Sequence, residues 1–181
     1  MTYYGPKELA ASFRTVRKNT IQIAEEIPEG KYGFSPAPDT RTVGESLVHI
    51  ALSPGIQQQI QSRKLSTLAG FDFPAVFGAM MAEAAKPRTK TEIVALLTAE
   101  GEKFATYMEG LSDSFLGESV EMPRPEMPAR TRFDMLMSVK EHEMHHRGQL
   151  MLVERMLGVT PHLTRQMQAQ MAAMQAASQK S

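Results

Sequence analysis

Apolar residues recur at helical spacing along most of the chain, and few stretches alternate in the two-residue rhythm of a half-buried strand. From Pro6 to Ile27 the positions Leu9, Phe13, Val16, Ile21, Ile23, Ala24 and Ile27 form a stripe between charged residues, which predicts a first amphipathic helix. "PEGKYGFSPAPDT" follows, and its three prolines and two glycines predict a long irregular connection. A second helix is expected from near Thr42, with Val43, Leu47 and Ile50 on one face and an interruption at Pro54-Gly55. Residues 65 to 89 mix turn residues with an Ala/Met-rich stretch, read as a short helix ended by Pro87.

A third helix begins at a Thr89 or Thr91 cap and carries Ile93, Leu96, Leu97, Phe104 and Met108. The segment from Ser112 to Thr131, again with three prolines, reads as loop. Phe133 to Leu157 predicts a long fourth helix, closed by Gly158 with Pro161 beyond. Residues 164–181 have helical propensity but little apolar bulk, and form either a docked arm or a frayed tail. With no internal repeat and no strand signal, the expectation is an all-α four-helix bundle over residues 1–163. The connections between helices one and two, and three and four, are long enough to be crossovers.

Composition narrows the function. The 181 residues are 42% hydrophobic, enough for one domain with a real core. Lysine plus arginine balances aspartate plus glutamate at 20 each, so no global field favours nucleic acid or an anionic membrane. There is no cysteine, which excludes disulfides, cysteine–zinc sites and a protein thiol nucleophile. Any thiol chemistry needs an external thiol. Without an apolar leader or a run approaching ~18 apolar residues, a cytoplasmic location is expected.

Candidate chemistry concentrates in "HEMHHRGQL", residues 142–150. At about 100° per residue, Met135, Val139, His142, His146, Leu150, Val153 and Leu157 share the inner face of the fourth helix. His142 and His146 are therefore an i, i+4 pair among aliphatic residues, the spacing at which two imidazoles converge on one cation. A lone inward histidine is usually satisfied by a backbone carbonyl, but burying two without partners costs a few kcal/mol, which a metal would offset. His145 lies to one side.

The stretch also reads H-E-x-x-H, the helix motif of zinc proteases. That reading lacks a third ligand: the extended motif needs glycine and histidine where this chain has Gln149 and Leu152, and Glu154 lies off the histidine face. His162 falls about four turns beyond His146. His49, in the middle of the second helix with Glu45 and Ser53 one turn either side, is the better third ligand. Three imidazoles would leave coordination positions open, as reactive sites do.

"RTVGESLVHIA", "HEMHHRGQL" and the following "LGVTP" resemble the DinB/YfiT-like family, in order and spacing, across residues 6–162. The resemblance implies a four-helix bundle with non-sequential connectivity, a divalent metal held by His49, His142 and His146, and a homodimer. Some members look like transferases using bacillithiol, mycothiol or glutathione, and others like metal-dependent hydrolases.

The leading expectation is a metal-dependent enzyme of small molecules, in which one divalent transition metal activates an external low-molecular-weight thiol for S-transfer. Zinc or nickel is placed ahead of iron or copper, although imidazole suits all four. The alternative replaces the thiol by water, with Glu143 or Glu45 as the proton acceptor. The structural role expected of Glu143 is a solvated or salt-bridged face. A third possibility is a non-catalytic metal-binding or interaction module. Met137, Met144 and Met151, seven residues apart on the opposite side of the fourth helix, fit either a second helix layer or a homodimer contact.

Overall fold

A computed structural model describes residues 4–178. The first bundle helix, α1 (Pro6–Glu26), starts on Pro6 with Glu8 bonding back to the Gly5 amide. The second is broken, as Pro54 predicts, into α2 (Val43–Leu52) and α3 (Pro54–Ser62), with Ser53 at the joint. Then come α4 (Phe73–Ala84), α5 (Lys90–Glu109), the short α6 (Asp113–Gly117), α7 (Arg132–Met156) and α8 (His162–Ser178). Among the described residues no helix is long and apolar enough to cross a membrane.

Packing follows the inner faces. α1 packs on α5 and α7, and the broken helix packs on the same two from the other side. The first and second bundle helices, and likewise the third and fourth, therefore stand at diagonal corners, which is why the connections after α1 and α5 are long. Leu9, Phe13, Phe104, Met108, Leu136 and Val139 form one apolar cluster near the start of α1. Ile23, Ile27, Val43, Leu47, Ile50, Leu97, Leu150 and Val153 form another near its end. Between them lies a polar layer.

That layer is Arg17 on α1 and Glu143 on α7, whose side chains are only 4% and 2% exposed. Arg17 Nε and Nη2 donate to both Glu143 oxygens at 2.9–3.1 Å. Its remaining donors reach the Leu97 carbonyl at 2.7 Å and the Ile50 carbonyl at 3.1 Å. One guanidinium thus joins all four bundle helices. Gly101 leaves it room, since a Cβ there would lie 2.8 Å from Arg17 Cγ.

Several expectations are corrected. Glu143 is salt-bridged but buried rather than solvated, because its partner comes from the inner face of α1. The segment after α5 is not all loop: Ser112 caps α6, and Ser119–Val120 pairs antiparallel with Arg130–Thr131. Strands of two residues carry no readable alternation. The methionine repeat also divides, with Met137 and Met151 partly buried against the two apolar clusters and Met144 exposed. Gly158 closes α7 at φ +79°, the left-handed conformation that glycine adopts without strain. The tail is helical to Ser178, and only His162 of α8 is buried; residues 179–181 lie outside the described residues.

Candidate metal centre

Two local devices aim the histidines. Thr42 and Glu45 form a capping box at the start of α2: the Thr42 hydroxyl accepts from the Glu45 amide at 3.2 Å, and Glu45 accepts from the Thr42 amide at 2.8 Å. Seven residues after this cap, His49 faces α7 just before the helix breaks. Its carbonyl accepts from the Ser53 amide at 3.0 Å and from Ser53 Oγ at 2.6 Å, closing the last turn of α2. On α7 the i, i+4 spacing stacks His142 and His146 on the side facing His49.

The three rings converge through their Nε2 atoms. His142 Nε2 lies 3.1 Å from Nε2 of both His49 and His146. Ligand atoms of all three residues fall within 4.8 Å of one another, and this is the one such group of histidine and acidic side chains among the described residues. At the usual imidazole–metal length of ~2.0–2.1 Å, a 3.1 Å edge subtends about 100° at a shared cation. The donor set fits a metal ion.

Tautomers agree with that fit. His146 Nδ1 is 2.8 Å from Gln149 Oε1, an acceptor, so Nδ1 carries the proton and Nε2 presents its lone pair to the cluster. The Gln149 amide nitrogen then reaches His145 Nε2 at 3.2 Å. Without a cation, an Nε2–H on His142 would satisfy only one of its two neighbouring ring nitrogens, whereas a cation would satisfy all three. Burial, the Arg41 charge and the neighbouring imidazoles push His49 down to about 4. Burial, with His146, His145 and Arg41, does the same for His142, also to about 4. His146 is lowered by burial against the opposing Gln149 bond. Neutral imidazoles are the form that ligates.

The structure thus brings together His49, His142 and His146 from segments 93 residues apart. It keeps two histidines away. His145 is exposed, and His162 is buried against α1, with Nε2 3.3 Å from Asn19 Oδ1. Both weaker carboxylate candidates are engaged elsewhere, Glu143 by Arg17 and Glu45 by its cap. The sequence reading missed Arg17 and Gln149. A cation on the inner stripe of α1 and a glutamine three residues after a ligand histidine are the signals that could have found them.

Two cavities flank the triad. One of about 540 Å³ reaches His146 and Gln149 between Val43 and Leu152. The other, of about 480 Å³, reaches His49 and is walled by Leu52, Met80 and Met81. Asp39, Thr40 and Arg41 line both, so the strap leading into α2 runs between them.

Comparison with known proteins agrees with this architecture. A DinB-like protein from Bacillus subtilis superposes with a TM-score of 0.64 at 22% identity, over 84% of this chain and 93% of that one. A DinB-like protein from Bacillus cereus gives 0.66 at 17%, over 88% and 97%. YfiT from Bacillus subtilis, described as "a probable metal-dependent hydrolase with an unusual four-helix bundle topology", gives 0.67 at 15%, over 88% and 91%. No curated protein matches the chain. The DinB superfamily model matches residues 12–150, a span that holds all three convergent histidines and most of the bundle, and the chain belongs to the DinB superfamily.

Proposed function

We propose that the protein is a metal-dependent enzyme that transfers an external thiol onto a small electrophile, with His49, His142 and His146 as the metal ligands. The observation that carries this reading is the pair of cavities, each open to a different histidine of the triad. A two-substrate reaction needs two binding lobes at one centre, whereas hydrolysis needs one organic substrate and water. His49, His142 and His146 would hold a divalent metal with coordination positions left open, and the metal would supply Lewis acidity toward a sulfur or oxygen nucleophile.

The chain's own residues do the rest. Gln149 fixes the His146 ring, and the apolar walls from Leu150, Leu152 and Val153 on one side and Leu52 and Met81 on the other would take up substrate carbon and exclude water. In the transfer, sulfur forms a bond to an electrophilic carbon, the leaving group departs with the electron pair of the bond it breaks, and the thiol proton passes to solvent. No protein base is required. That matters because the cap bonds from Thr42 hold the Glu45 carboxyl below its usual range, and Arg17 occupies both oxygens of Glu143. Hydrolysis, named for YfiT, is the second reading, and it would need a different proton acceptor.

Zinc- or nickel-loaded protein, assayed with monochlorobimane and bacillithiol, mycothiol or glutathione, should turn over with at least one thiol and lose turnover on metal removal. Metal-dependent ester or amide cleavage without added thiol, and no thiol transfer, would replace this reading by the hydrolase.

A further inference from the structure

The strap between the cavities carries an unpaired cation. Arg41 is, among the described residues, the only lysine or arginine lining either cavity, and it lines both. Among the described residues its side chain is exposed and makes no hydrogen bond or close ion pair; Glu45, which lines the second cavity and feels its charge, is held by the Thr42 cap, and Asp39 does not pair with it.

Its backbone is nevertheless fixed on both sides. Upstream, Ser35 Oγ bonds to the Ala37 carbonyl at 2.6 Å and lies 2.9 Å from Thr40 Oγ, while the Thr40 amide donates to Ala37 at 3.1 Å. Downstream, Thr42 is the capping residue of α2. The Val43 and Gly44 amides bond back to the Phe34 and Tyr32 carbonyls at 3.0 and 2.9 Å. Tyr32 OH in turn donates to the Ala24 carbonyl of α1 at 2.7 Å. A guanidinium on a tied strap, beside three neutral imidazoles, is pre-positioned for an anion.

We propose that Arg41 recognises a carboxylate carried by the substrate, so that the enzyme selects carboxylate-bearing thiols or electrophiles over neutral ones. A planar carboxylate matches the fork of one guanidinium. A phosphate dianion would call for further donors, and neither cavity supplies a second cation, while Thr42 and Glu45 already cap the start of α2. The inference rests on the thiol reading above and adds the class of substrate.

Calorimetric titration of zinc-loaded wild type, Arg41→Gln and Arg41→Lys with 3-mercaptopropionate and 2-mercaptoethanol tests it. The two probes share a thiol and differ in the carboxylate. Wild type should prefer 3-mercaptopropionate by about 5-fold or more, the scale of one charge-assisted pair in a partly wet site. Arg41→Gln should lose that preference, and Arg41→Lys should keep part of it. A general field effect of Arg41 on the centre would change both affinities together and leave their ratio alone. Binding of both probes with the same ratio in wild type and Arg41→Gln overturns this inference alone. No binding of either probe to wild type overturns the thiol reading and the inference with it.

Discussion

Arg17, Gly101 and Glu154 show what single residues do beneath the candidate site. Arg17→Ala would leave the Glu143 carboxylate buried without its partner, so we expect a loss of about 3–5 kcal/mol in chemical denaturation. Gly101→Ala should also destabilise, by roughly 1–3 kcal/mol, because its Cβ would crowd Arg17, whereas a free helical position would gain about 1 kcal/mol from alanine. Neither effect could be read from the sequence, since Arg17 and Glu143 are 126 residues apart. Glu154 has the opposite problem, being fully buried with no hydrogen bond to either oxygen. Burial, reinforced by Glu26, pushes its carboxyl up to about 7. The folded state therefore holds the proton to higher pH than the unfolded chain, whose carboxyl titrates near ~4.3. Its contribution is full below that value and is lost as pH rises to about 7. The three histidines, lowered in the fold, act with the reverse sign, losing stability as pH falls below about 6.5. The difference between wild type and Glu154→Gln isolates the carboxyl: the variant should gain roughly 1–3 kcal/mol at pH 8 and little at pH 4.5. Equal gains at both pH values would contradict the assignment.

Among the elements, the broken second helix decides where His49 points. Its start at Thr42 and its interruption at Pro54 were both legible, because a threonine before an apolar stripe and a proline inside one have direct steric and hydrogen-bond consequences. The inner face of α7 was legible for the same kind of reason, as Met135, Val139, Leu150 and Val153 are all buried. The small elements between α5 and α7 were not, since α6 has five residues and each strand two, too short for periodicity to speak. Glu45 belongs to this scale because its carboxylate closes the cap of α2. Glu45→Gln, which can still accept the Thr42 amide bond, should retain at least about half of any metal-dependent turnover. A loss of 100-fold or more, of the order expected for a general base, would make Glu45 the proton acceptor instead.

For the whole molecule, the diagonal wiring of the bundle brings a histidine of the second bundle helix against two on the fourth. Local pattern predicts each helix but not which corners they occupy, so the triad came from the motif spacing together with the family resemblance. The expected homodimer would rest on the exposed Met144 and Met156 of α7, since Met137 and Met151 pack partly buried against the core. Sedimentation at micromolar concentration should give two copies, and a monomer would remove that interface. The central claim is the metal centre, and elemental analysis after equal metal loading tests it most directly. Wild type and His145→Ala should hold close to one metal per chain, while His49→Ala, His142→Ala and His146→Ala should each lose most of it. A wild type without metal, or a His49→Ala variant that binds as well as wild type, would contradict the account.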